Sequence, residues 1–251
     1  MIRNIAAYHF VEIAEPQALA GRVREWAESG GVRGTVLVAP EGINLFLAGA
    51  DAAIERFLDQ LRREPRFAGI AVKDSWSEAV PFSRLKVKRK REIISFRRDD
   101  ASPLGGRAPA VAAGDLARWL AQGHDDQGRR VVMLDTRNRE ETAHGAFTDA
   151  LVLPIDNFTE LPAALEAHRE ALADATVVSY CTGGIRCEKA ALWMRATGMD
   201  NVLQLDGGIL GYFEAVGGAG YAGRCFVFDE RVALDPALRP LVDEDSQARA
   251  A

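Results

Sequence analysis

The sequence predicts an α/β chain in two parts: a small α+β unit, then a parallel-sheet unit that carries a reactive cysteine. Three observations predict it. Residues 1 to about 98 follow the order β-α-β-β-α-β. Residues 109–235 alternate strands with helices, the signature of a parallel sheet. Within that second part, the β-branched run 177–180 leads to Cys181 and passes through Gly183, Gly184 and Arg186 into a helix.

In the first part, residues 5–13 have strand character. Residues 16–29 give a helical pattern, with Leu19, Val23 and Trp26 recurring at three to four residues until Gly30 and Gly31 stop it. Residues 34–39 and 44–48 read as two strands joined by Pro40, Glu41, Gly42 and Ile43, a hairpin connection. Asp51 is expected to cap a second helix running to about Arg63, with Ile54, Phe57, Leu58 and Leu61 on one face. Residues 70–73 and 85–96 supply further strand. That order suggests a ferredoxin-like or acylphosphatase-like sandwich.

A charge anomaly closes this part. Arg84, Lys86, Lys88, Arg89, Lys90, Arg91, Arg97 and Arg98 stand against one acid, Glu92. Alternation with Leu85 and Val87 fits a solvated strand face. The same density inside a chain of net charge −5 also fits a polyanion partner, because basic residues on one element attract phosphates whatever the charge elsewhere. Aromatic residues are sparse there (Phe82, Phe96), so base stacking is not signalled. Residues 99–108 read as a linker by composition.

In the second part, a helix is expected over 113–122, strands over 131–137 and 150–155, and a helix over 162–173. The cysteine strand, loop and helix follow, then a strand at 201–205 and the Asp206-Gly207-Gly208-Ile209 turn. Residues 236–251 are expected to form a flexible tail.

Composition excludes several classes. With 251 residues, 48% hydrophobic and 27% charged, the chain is an ordinary globular one with one or two domains. No apolar stretch approaches the ~20 residues of a membrane span, so no membrane partner is expected. The first residues lack the apolar core of a secretion signal. Three cysteines do not make a disulfide framework, and a reducing cytoplasm is the simplest home. No Cys/His spacing makes a metal site.

The chemistry sits on Cys181. Thr182, Gly183, Gly184 and Ile185 separate it from Arg186, a ring one residue shorter than that of cysteine phosphatases. A smaller ring suits a terminal sulfur or another small anionic group rather than a phosphate. Gly183 and Gly184 let the backbone turn its N–H groups inward, and the helix end and Arg186 add positive potential. A thiol held there is expected to lose its proton easily. Cys187 reads either as a small core residue or as a second thiol that resolves an oxidised or sulfur-loaded Cys181. Cys225 reads as inert in a hydrophobic strand. His144 reads as a satisfied, half-buried histidine.

The Asp135-Thr136-Arg137-Asn138-Arg139-Glu140-Glu141 segment, the cysteine loop and the Gly207-Gly208 turn together resemble the rhodanese homology domain over about residues 109–220. The resemblance implies that Asp135 and Arg137 pin loops rather than react. Residues 34–44, 81–88, 181–189 and 226–232 together are similar, in order and spacing, to the bacterial tRNA uridine hydroxylases, over nearly all of residues 1–235. That resemblance implies an acylphosphatase-like domain ahead of a rhodanese-like one. It also implies oxygen-dependent formation of 5-hydroxyuridine from the wobble uridine, position 34 of tRNA, with Cys181 as the active-site cysteine.

On this reading the catalytic set is Cys181, Arg186 and Cys187, with Thr182, Gly183, Gly184 and Ile185 as the active-site loop. Arg84, Lys86, Lys88, Arg89, Lys90 and Arg91 are candidate RNA contacts, joined by Arg186 and Lys189 at the pocket mouth. The partner is the tRNA anticodon region, not DNA. Molecular oxygen is the co-substrate, and no tightly bound cofactor is expected. A sulfurtransferase working through a Cys181 persulfide is the alternative, which the loop alone supports equally.

Overall fold

A computed structural model describes residues 1–240. The N-terminal unit runs β1 (Ile2–Phe10), α1 (Pro16–Ser29), β2 (Arg33–Ala39), β3 (Gly42–Gly49), α2 (Asp51–Arg62), β4 (Val72–Ser77) and β5 (Leu85–Arg89). Its sheet order is β4-β1-β3-β2-β5. The first four strands pair antiparallel, and β5 adds to β2 in parallel. Alternation along the strands sends Ile5, Ala7, Val36, Val38, Ile43, Leu45 and Leu47 to one face, where they pack on Leu19, Val23, Ile54, Phe57 and Leu58 of the two helices. The ferredoxin-like sandwich is therefore present, with one strand added.

The second unit runs β6 (Ala110–Val111), α3 (Ala113–Gln122), β7 (Val131–Asp135), α4 (Arg139–Thr142), β8 (Gly145–Phe147), β9 (Leu151–Val152), α5 (Leu161–Glu166), α6 (Arg169–Leu172), β10 (Thr176–Tyr180), α7 (Ile185–Ala196), β11 (Val202–Leu205) and α8 (Gly208–Val216). Then come β12 (Tyr221–Gly223), β13 (Cys225–Phe226) and β14 (Ala233–Leu234). The main sheet has the order β6-β11-β10-β7-β9, and every pairing in it is parallel. β10 is the middle strand and is buried throughout, as a strand covered on both faces must be. Small ladders join β8 to β12 and β13 to β14.

Several expectations need correction in detail. Asp51 is the first residue of α2, not its cap; Ala50 holds the cap position, and the Asp51 carboxylate accepts from Arg3 instead. The strand expected over 85–96 ends at Arg89. Its partner β2 stops at Ala39 before Pro40, and Lys90 N–H makes the last cross-strand bond to Val38. Beyond it, the Glu92 carboxylate accepts from Phe96 and Arg97 N–H, which turns the chain. The strand expected over 150–155 keeps only β9. The helix expected over 162–173 is two short ones, parted where His168 N–H bonds Leu165 in a tighter turn. Residues 99–105 contain two 3₁₀ turns, and Phe96 and Ala101 lie in the second unit's core. Of the expected tail, residues 236–240 fold back so that Pro240 bridges Leu234, and residues 241–251 lie outside the described residues.

The two units are joined by a buried cation. Lys189 of α7, 3% exposed, donates to Glu41 at 2.8 Å, to Glu92 at 2.7 Å and to the Ile94 carbonyl at 3.1 Å. Ile185 packs beside it against Ala39, Tyr8 and Phe10. Replacing Lys189 by Met removes the cation and leaves two facing carboxylates. We expect a loss of roughly 3 kcal/mol in urea unfolding, the low end for a broken buried pair because both acids keep some water access. An unchanged midpoint would mean that the two units dock without this contact.

Candidate active site

β10 delivers Cys181 to the carboxyl end of the parallel sheet, where α/β folds place their ligands. The loop turns back at Gly184, whose φ of +97° makes it the cap of α7. Its N–H donates to Cys181 Sγ at 3.1 Å. The loop carbonyls are drawn the other way. Ile209 N–H takes the Cys181 carbonyl and Leu210 N–H takes the Thr182 carbonyl, both at 3.0 Å, so the free N–H groups at the start of α8 are satisfied by the loop. This close approach needs Gly208: its φ is +63°, and a Cβ there would stand 2.6 Å from both the Cys181 carbonyl oxygen and the Gly184 nitrogen.

The sulfur is fully buried. Burial alone would raise its pKa, but the Cys187 thiol, the Arg186 guanidinium and the Arg186 and Gly184 N–H groups hold it well below the ordinary thiol value. Cys187 moves the opposite way: burial and the neighbouring Cys181 thiolate keep it protonated. Its Sγ lies 3.8 Å from Thr136 Oγ1. The pair is thus one thiolate beside one neutral thiol donor.

Arg186 is held by Glu141 in a two-pronged pair, Nη1–Oε2 2.5 Å and Nη2–Oε1 2.6 Å. Against its burial, Glu141 is kept ionised by that guanidinium. Its other role is to accept from Asn138 N–H in the capping box of α4, while Thr182 Oγ1 donates to the same carboxylate at 3.4 Å. Asp135 and Arg137 form a fully buried pair, and Arg137 also donates to the Gly145 carbonyl. They hold the loops around the site and do not touch the sulfur. His144 is half-buried, with its ring 5.3 Å from Phe226. Cys225 is buried, and burial pushes its thiol up to about 12.

Thr182, Gly183, Gly184, Ile185, Arg186 and Cys187 therefore surround Cys181 as expected of the loop. The expectation that Arg186 and Lys189 hold RNA phosphates is corrected: both are buried and already paired with carboxylates. Arg84, Lys86, Lys88, Arg89, Lys90 and Arg91 are all exposed and lie on β5 or just before and after it, apart from the cysteine loop.

Four side chains not anticipated from the sequence complete the surroundings. Glu188, buried in α7, accepts from Tyr8 Oη at 2.9 Å and pairs with Arg107 at 2.9 Å. Burial raises its pKa. Lys73 of β4 stands 5.6 Å from the Tyr8 ring centre, and burial lowers its pKa against the pull of Cys181 and Asp206. These residues line a cleft of about 550 Å³ between the two units, with Asp206 and Gly207 on its far wall. Perturbed acids and bases gathered in a cleft are a functional signature. Glu188 lay within the motif, but Tyr8 and Lys73 are brought in by the other unit, and no local pattern marks them. Among the described residues, no cluster of His, Cys, Asp or Glu could hold a metal, and no helix is long and apolar enough to cross a membrane.

A short cysteine ring at the end of a parallel sheet, with a ferredoxin-like unit docked over it, defines a rhodanese-type protein with an added N-terminal domain. The comparisons agree: residues 2–93 match the UPF0176 acylphosphatase like domain and residues 116–215 the rhodanese-like domain. Among curated proteins, the chain is 67% identical to the tRNA uridine(34) hydroxylase of Xanthomonas euvesicatoria pv. vesicatoria over 99% of this chain and all of that one. It is 68% identical to that of Xanthomonas campestris pv. campestris strain 8004, over 97% and 96% of the two chains. The corresponding figures for Xylella fastidiosa are 63%, 97% and 95%. The chain belongs to the tRNA uridine(34) hydroxylase family.

The acidity of Cys181 should depend on Arg186 and on the tightness of the ring. Arg186→Lys, which keeps the charge but loses the fork onto Glu141, should raise the thiolate titration midpoint by at least about one pH unit, read from ultraviolet thiolate absorbance against Cys181→Ser. Gly208→Ala should do the same by forcing the loop off α8. An unmoved midpoint in both variants would show that neither sets the thiol's acidity.

Proposed function

We propose that this chain hydroxylates C5 of the wobble uridine, position 34 of tRNA, with Cys181 as the reacting group and molecular oxygen as the oxidant. The observation that carries the reading is the 63–68% identity to curated hydroxylases over nearly the whole chain, together with an acidic thiol in a ring too short for a phosphate. Arg186, Gly184 N–H and the α7 terminus hold the sulfur as a thiolate, the form that adds to electrophilic carbon. Cys187 stays protonated and donates to it. A base acted on inside such a site must leave the anticodon stack. Lys73, Tyr8 and Glu188 then stand where the N-terminal unit meets the cysteine loop, positioned to bind the polar edge of that base. The basic residues 84–91 supply phosphate contacts, and the cytoplasm is the compartment this reading requires.

The loop geometry also suits a persulfide, so the test must read both activities. Nucleoside mass spectrometry of tRNA from a deletion strain should show 5-hydroxyuridine lost, restored by the wild-type chain and not by Cys181→Ser. Tracking Cys181 mass in the purified protein reports any sulfane sulfur. Unchanged 5-hydroxyuridine in the deletion strain, with persulfide transfer to cyanide intact, would replace the hydroxylase reading by the sulfurtransferase one.

A further inference from the structure

Sheet register decides which of the basic side chains can act together. Val36 pairs with Leu45 and with Val87, and all three face α1 and α2. Residues of opposite parity therefore stand on the helix-free face: Thr35 beside Phe46 and Lys86, and Leu37 beside Asn44 and Lys88. Lys86 and Lys88 are exposed there, and neither has a carboxylate partner among the described residues. Glu41 and Glu92, which flank this edge of the sheet in sequence, are taken by Lys189.

The second unit covers only part of this face. Towards β1, Tyr8 reaches Glu188 and Phe10 packs on Ile185, and Ile185 also covers the end of β2 at Ala39. Nearer the start of β2, Thr35 and Leu37 are half-buried, and Lys86 and Lys88 of β5 beside them are exposed. Phe46 stands at the border, its ring centre 6.1 Å from that of Phe228. Phe228 is 51% exposed. Phe226 supports it edge-on at 5.2 Å, and its ring centre lies 6.0 Å from the Arg186 guanidinium carbon. Arg186 is in turn the cation beside the Cys181 sulfur. Two unpaired lysines thus stand across β2 from Phe46, which leads to an exposed aromatic ring one side chain away from the thiolate.

We propose that the helix-free face of the N-terminal sheet is the track for single-stranded anticodon-loop RNA, with Lys86 and Lys88 on its phosphates and Phe228 as the platform on which the target base stacks beside Cys181. The proposal rests on the hydroxylase reading for the identity of the RNA. Charge complementarity selects a polyanion for this face, and an exposed ring at its end selects one with flat apolar faces to offer, which single-stranded RNA has. Stacking is tolerant of sequence, so Phe228 positions the base without choosing it. The basic run is accordingly divided: Lys86 and Lys88 share the track, whereas Arg89 pairs with Val38 and has the parity of the helix-covered face.

The test uses the full-length chain with Cys181→Ala, which prevents adduct formation, and an anticodon stem-loop RNA carrying 5-fluorouridine at the wobble position. Binding should move the fluorine resonance upfield through the ring current of Phe228. Phe228→Trp should keep that movement, while Phe228→Ala and Phe228→Leu should abolish it and weaken binding about tenfold. Phe228→Leu retains apolar bulk, so its agreement with the alanine variant separates loss of stacking from loss of packing. Lys86→Ala with Lys88→Ala should lower the salt slope of binding by roughly 1.4, about 0.7 per phosphate contact on a single strand, and leave the saturated fluorine shift in place. A fluorine shift unchanged in Phe228→Ala, or a salt slope unmoved by the lysine changes, overturns the proposal. Binding is read here without turnover. Intact shifts and slopes with no 5-hydroxyuridine made in cells would therefore sink the hydroxylase reading and leave the RNA track standing.

Discussion

The first two turns of α7 carry three buried charges that leave the helix in three directions, and the architecture depends on their being met. Arg186 turns to Glu141 within its own unit, Glu188 to Tyr8 and Arg107, and Lys189 to Glu41 and Glu92. A charge out of water is tolerated only when paired and hydrogen-bonded. Rotating or sliding the helix would strand at least one of the three. The helix is therefore locked in azimuth and height, and so is the cysteine loop that caps it. One set of contacts sets the position of the sulfur and the seating of the N-terminal domain together.

The thiolate is made by a neighbouring thiol, a guanidinium and inward-turned backbone N–H groups rather than by a nearby base. Two helix starts meet at the loop from opposite sides. α7 offers its N–H groups to the sulfur, while α8 takes the loop carbonyls and turns them away from it. Glycine at 184 and 208 is what permits the approach, because both stand at positive φ and neither has room for a Cβ without something giving way. Arg186 adds charge, and Glu141 fixes where that charge points. Cys187 contributes a proton it does not give up.

Much of this was legible along the chain. The β10 run, the cysteine ring and the start of α7 are contiguous, so strand propensity, glycine placement and ring length could be read directly. The ferredoxin-like order was visible because each strand and helix shows its own period. What escaped reading came from far away in sequence. Arg186 and Lys189 looked like surface cations because their partners lie 45 and 148 residues off, and a charged residue carries no local mark of being buried. Tyr8 and Lys73 sit on strands whose pattern explains them fully as sheet residues. Strand ends escape for a similar reason: residues after Arg89 look extended, but a strand persists only as far as its neighbour does. Phe228 follows the last helix in a stretch whose apolar pattern gives no hint that its ring stays in water.

The complete enclosure of the Cys181 sulfur has a consequence for how such an enzyme survives its own chemistry. An ionised thiol standing in water would be consumed by any peroxide or disulfide that diffused past it. Here ionisation and accessibility are uncoupled, since the groups that create the anion also wall it in. Its lifetime then depends on its burial rather than on how strongly the thiol is ionised. Small oxidants are thus kept from the sulfur by its burial, without any group that recognises them.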